Sequence, residues 1–190
     1  MSSIVLTALL IAMPPTPSAP APASPAVASL TDGQVRAQVL AYLATIDTPI
    51  PDAAWAALGA RAETVLLDVV QDAATLPTRK AKAVDGLAAL HSAAALPALR
   101  TAARAGTEPL VVRFAALRGL GQIADPGAVF TELRPLLEGA EDSRVRAVAG
   151  EVLARRGSAT ACDAVRAQLG REEEDKRPQF DRALAVCAGR

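Results

Sequence analysis

Apolar side chains recur along this chain at three- and four-residue intervals, the period of a helix rather than the alternation of a strand. In residues 112–123 (VRFAALRGLGQI), Val112, Ala116, Leu120 and Ile123 fall on one helical face. The next four residues, Ala124-Asp125-Pro126-Gly127, predict a turn, with Asp125 as N-cap and Pro126 in the first helical position. A second helix then runs to about Glu138, residues 139–143 break the pattern, and a third helix opens at Arg144. The unit is a helical hairpin. Upstream, residues 53–72 predict one helix with an irregular lead-in and residues 78–91 its partner. Residues 32–46 predict an earlier helix, ended by Pro49 and Pro51.

The hairpins repeat. Between Arg79 and Leu169 the sequence matches itself at a period of 33 residues. Ala83, Ala116 and Ala149 form one column, Leu87, Leu120 and Leu153 a second, and Ala95, Ala128 and Ala161 a third. Lys80, Arg113 and Arg146 form a cationic column, preceded by Arg79, Val112 and Val145. Because every internal hairpin leaves an apolar face that only a neighbour can cover, such an array needs caps. The helix over 32–46 is placed to supply one. The expected fold is therefore all-α, an α-solenoid of about four hairpins behind an N-terminal capping helix. The domain spans 29–190, with repeats at about 53–92, 93–125, 126–158 and 159–189.

These residues resemble the HEAT-repeat family, in particular its short bacterial, phycobilisome-lyase-like repeats. The resemblance is carried by Asp142-Ser143-Arg144-Val145-Arg146 followed by Ala149 and Leu153, and by Val112-Arg113 followed by Ala116, Leu120, Gly121 and Asp125-Pro126. It implies that the first helix of each hairpin lies on the convex side and that the Val-Arg helix lines a concave groove. It also implies that Lys80, Arg113 and Arg146 make structural hydrogen bonds between repeats. Asp85, Arg118 and Glu151 occupy equivalent positions of successive Val-Arg helices, with Gln122 and Arg155 one turn further on. In the family geometry this strip faces the groove and is the candidate partner-binding surface, although alternating signs equally fit mutual pairing across repeats. Two features depart from the family pattern: Thr107-Glu108-Pro109 replaces an Asp-rich turn, and Pro135 interrupts a first helix.

Composition narrows the function classes. Hydrophobic residues make up 51% of the 190, but aromatics only 3%. Twenty basic and twenty acidic side chains leave a formal net charge of zero, so no global field draws nucleic acid or an anionic membrane. The only histidine, His91, falls at a helix C-terminus, where the macrodipole favours a positive charge. One histidine and no clustered cysteines cannot assemble the usual zinc sites. Gly119 and Gly121 lie inside a helical pattern rather than in a phosphate loop, which reads as close helix packing, and no serine sits in a Gly-x-Ser-x-Gly turn. The charged run Arg171 to Arg177 reads as a solvated loop. No catalytic residue, metal or cofactor is expected. The reading is a non-catalytic, monomeric interaction or scaffold protein of the bacterial envelope or secreted fraction, binding a protein or peptide partner. The alternatives are a lyase-like or enzyme-accessory protein and a structural envelope protein.

Localisation rests on the two ends of the sequence. The first 31 residues carry no charge, and residues 4–13 (IVLTALLIAM) form an apolar run of signal-peptide length, too short for a membrane span. Small-residue cleavage patterns follow at Ala26-Val27-Ala28 and Ala21-Pro22-Ala23, within a stretch holding six of the fourteen prolines. No basic residue precedes the apolar run and no cysteine lies near it. Residues 1–28 are thus read as a signal peptide with a Pro/Ala-rich segment, and the protein as periplasmic or secreted. Cys162 opens the first helix of the last hairpin and Cys187 lies near the end of its second. In an antiparallel hairpin those ends are adjacent, and an oxidising compartment would preserve a disulfide between them; the alternative is two buried core thiols, since Cys162 falls in the column of Leu96 and Val129. In protein isolated from its native compartment, alkylation before reduction is expected to leave both cysteines unmodified in the intact mass. Two alkylated thiols would reject the pairing.

Overall fold

The structure is a computed structural model that describes residues 30–46, 48–156 and 159–189. The signal-peptide reading of residues 1–28 falls outside the described residues. Among those described, the chain is an all-α solenoid from Thr31 onward, made of four hairpins behind a capping helix.

The cap, α1 (Asp32–Ala44), starts from a reciprocal pair of bonds that satisfies two of its orphan N–H groups. The Gln34 N–H donates to Thr31 Oγ1 at 3.3 Å, and the Thr31 N–H donates to Gln34 Oε1 at 2.8 Å. Its buried face, Val35, Val39 and Leu43, packs on the first hairpin. Tyr42 meets the buried Trp55 edge-on, ring centroids 5.2 Å apart. From the hairpin side, Lys82 Nζ donates to the carbonyl of Thr45 and, at 2.9 Å, to its hydroxyl. Cap and first hairpin are thereby locked by both apolar and polar contacts.

The first hairpin differs from its expected single lead helix. Residues 53–72 form two helices, α2 (Asp52–Leu58) and α3 (Ala60–Gln71), because Gly59 turns the chain with φ 64° and ψ −161°, a region essentially restricted to glycine. The break lets Trp55 on α2 tuck under α4 (Pro77–Ala89). A left-handed residue ends α4: His91, at φ 51°, donates its N–H to Ala88 O while the Ser92 N–H reaches Leu87 O. This double closure is the Schellman arrangement, in which glycine is the usual residue.

A 3-10 turn, Ala93–Ala95, leads into α5 (Leu96–Arg104), which pairs with α6 (Leu110–Ile123). The third hairpin pairs α7 (Pro126–Gly139) with α8 (Ser143–Arg156). Asp125 stands in the N-cap position of α7, but its side chain accepts no N–H from the helix. Pro135 does not interrupt α7. It and Thr131, whose carbonyl loses its usual partner, are exposed, so that carbonyl stays on the hydrated side while Val129, Leu133 and Leu137 hold the other. The last hairpin consists of α9 (Ala159–Leu169), a 3-10 segment (Glu174–Phe180) and α10 (Asp181–Ala188).

The second helices, α4, α6, α8 and α10, stack directly on one another as an inner layer, each backed by the first helix of its hairpin. The repeated columns are the seam between them: Ala83, Ala116 and Ala149 are fully buried, as are Leu87, Leu120 and Leu153 to within 2%. In the third column Ala95 and Ala161 are buried and Ala128 is half-buried. Gly119 and Gly121 permit the close approach: a Cβ on Gly121 would sit 2.4 Å from Val152 Cγ1, and one on Gly119 3.1 Å from Leu99 Cδ1. The last hairpin is closed covalently. Cys162 and Cys187 form a disulfide with Cα atoms 5.6 Å apart, packed against Ala154 and Val186. Its loop of 25 residues corresponds to about 3 kcal/mol in the chain-entropy account.

The Gly59 break supplies a clean backbone test, since no atom lies within 4 Å of its missing Cβ. Gly59→Ala should cost about 1–3 kcal/mol in urea unfolding. Gly106→Ala, in equally open space but without a positive φ, should stay within about 0.5 kcal/mol of wild type. Equal effects from the two would refute the strained-turn account.

Candidate functional site

Two sets of polar side chains run across the inner layer, one at the hairpin turns and one on the helix faces. The turn set is built on the cationic column. Lys80 is buried and its ammonium lies 3.6 Å from Glu108, which belongs to the turn of the next hairpin. Arg113 is buried and donates Nε to Ala103 O at 3.3 Å, holding the end of its own first helix. Arg146 does both jobs: Nη1 donates to Ala140 O at 2.6 Å and Glu141 O at 2.9 Å, while Nε and Nη2 grip Glu172 at 2.5 Å each.

Two of the three cations pair with a carboxylate of the following hairpin. Glu108 faces Lys80 and Glu172 faces Arg146; Asp142 is close enough to Arg113 for its charge to lower the Asp142 pKa. Sequence reasoning missed all three carboxylates. The Arg171–Arg177 run is largely exposed, as expected of it, except at Glu172, which is buried and accepts a further bond from Gln168 Nε2 at 2.8 Å. These contacts leave their mark on ionisation. The Arg146 hydrogen bonds hold the Glu172 carboxyl below its ordinary value, and the Arg144 side chain holds Asp142 down to about 2.

The face set is the strip proposed for partner binding. Arg118 and Gln122 on α6, with Glu151 and Arg155 on α8, line one open depression of about 330 Å³. Arg156 and, from α10, Arg182 complete its rim. Asp85 is not part of it. It lines a neighbouring depression of about 290 Å³ with Trp55, Lys82 and Ile50. Burial pushes the Asp85 carboxyl up from its ordinary value, partly offset by the charge of Arg118. Pairing across repeats is weak: the hydrogen-bonded pair is Arg155 to Glu151, at 2.8 Å within a single helix. Arg182 escaped the sequence reading because a 33-residue register places it in the buried column of Ala83, Ala116 and Ala149. In the structure it is exposed.

Among the described residues, no group of three or more His, Cys, Asp or Glu side chains is placed to hold a metal ion. Nor is any helix among them long and apolar enough to cross a membrane. A family model described as HEAT repeats matches residues 106–185. No curated protein and no solved structure shows significant similarity to the chain.

The turn set has a testable pH signature. Both Glu172 and Asp142 have folded-state pKa values below their unfolded ones, so their contribution is fully present above about pH 4.5 and is lost as the pH falls through the folded values, about 2 for Asp142. Glu172→Gln should lower stability by about 3 kcal/mol at pH 7, because it leaves Arg146 half-buried without its carboxylate. The deficit should shrink as acid protonates the wild-type carboxyl. A deficit that stays constant from pH 7 to pH 3 would refute the coupling.

Proposed function

We infer the function of this chain from its being a HEAT-repeat protein, because HEAT repeats generally mediate protein interactions as scaffolds. The chain is read as a non-catalytic interaction module that docks a protein or peptide segment on the open face of its inner layer. One observation carries this reading: α6, α8 and α10, from three successive hairpins, contribute polar side chains to a single depression. Such a surface exists only when the hairpins are stacked, which ties recognition to the array rather than to any one repeat. Turn cations are engaged in holding the stack, whereas Arg118, Gln122 and Arg155 are exposed. The disulfide in the last hairpin fits a protein exported to the periplasm or beyond, where oxidised cysteines persist.

A photo-reactive residue introduced at Gln122 should cross-link to a partner in the native compartment, and the Arg118→Glu/Arg155→Glu double variant should abolish that adduct. The same group placed at the exposed Arg134 of α7 should give none. Cross-linking that survives the charge reversal, or that is as strong from Arg134, would count against this face.

A further inference from the structure

The chain as a whole is neutral, yet the depression across α6, α8 and α10 gathers Arg118, Arg155, Arg156 and Arg182 around one carboxylate, Glu151. That is a local excess of three positive charges, created by segregation rather than by composition. Glu151 is already engaged by Arg155. Arg156 turns back to the Ala124 carbonyl at 3.4 Å, and among the described residues Arg118, Arg156 and Arg182 form no salt bridge with a carboxylate. Guanidinium groups are rigid forks matched to carboxylates, and Arg118 and Arg182, exposed at one depression without such a partner, leave that valence to be filled from outside.

We propose that this depression binds an acidic, extended peptide segment of a partner protein, its Asp or Glu side chains seated between Arg118 and Arg182. The inference rests on the docking reading above and gives that partner its chemistry. Packed helices stand about 8–10 Å apart and an extended chain rises about 3.3 Å per residue, so spanning from α6 across α8 to α10 takes a segment of about five residues or more. Two features select a peptide over a nucleic acid. Glu151 inside the depression repels a uniformly charged backbone, whereas a peptide can place its carboxylates selectively. Val152 in the lining offers apolar surface to the intervening side chains.

The test uses the full, oxidised chain and a fluorescein-labelled, C-terminally amidated peptide of about eight residues alternating Glu and Leu, followed by anisotropy. Its matched control replaces every Glu by Gln, and a single-stranded oligonucleotide of equal charge serves as the polyanion. The Glu peptide should bind at least about tenfold more tightly than the Gln peptide. It should lose about tenfold or more in Arg118→Gln/Arg182→Gln, and weaken as salt rises. Arg118→Lys/Arg182→Lys should fall between, keeping charge but not the fork. Both arginines are exposed, so unchanged thermal unfolding of these variants is expected. Tighter binding of the oligonucleotide, no binding of the Glu peptide, or indifference to the arginine substitutions overturns the proposal. Equal binding of the Glu and Gln peptides, lost together in Gln122→Trp, overturns the acidic specificity while leaving the docking face intact. Peptide binding unaffected by Gln122→Trp removes the face itself.

Discussion

Everything in this molecule depends on the seam between successive inner helices. A hairpin alone would expose the face that carries its Ala and Leu columns, and only the next hairpin can cover it. The seam is narrow because its residues are small. Ala83, Ala116 and Ala149 are fully buried, and Gly121 lets the Val152 methyl group approach to where a Cβ would otherwise stand. Small residues bury little apolar area each, so stability comes from repetition and close dispersion contacts more than from any single large side chain. Among the described residues the two buried aromatic side chains sit at the ends: Trp55, against Tyr42, where the cap meets the first hairpin, and Phe180 where the last hairpin closes.

A narrow apolar seam sets spacing but resists sliding poorly, since one alanine fits much like the next. The cations at the turns supply the register. Lys80 and Arg146 each pair with a carboxylate of the next hairpin, while Arg113 and Arg146 hold carbonyls of their own. Burial makes these pairs demanding, because a buried charge left alone costs more than the pair gains. Register errors are therefore penalised at the turns while the helix faces remain available for recognition. Scaffold and candidate binding surface occupy different sides of the same helices.

The architecture was legible in the sequence because the seam writes itself into the chain as columns 33 residues apart. What the register could not show were the places where the structure leaves it. Gly59 lies within the run 53–72 that reads as one helix, since periodicity carries no information about φ. Pro135 looked like a breaker because the rule about proline ignores which side of the helix faces water. Glu172 was hidden in a run of charges, and the 3-10 segment after it shifts the last hairpin. The same shift moved Arg182 out of a packing column and onto the candidate face. Of the five face residues read from sequence, Asp85 lies apart because the cap and the segment around Ile50 build a separate depression there. Repetition reveals the common unit, while caps and terminal units are shaped by neighbours the repeat does not encode.

The Cys162–Cys187 bond has a mechanical meaning as well. A stack of hairpins joined by short turns behaves under tension like a coil that can be paid out one unit at a time, each release exposing the seam of the unit behind it. A cross-link between the two ends of the last hairpin makes its 25-residue loop inextensible: a pull on the chain passes through the sulfur atoms and leaves the loop slack. The last hairpin can then leave the array only as a unit, by breaking its side-chain contacts with α8, and not by paying out its own loop. The candidate face therefore keeps or loses its α10 side, with Arg182, together with that whole hairpin.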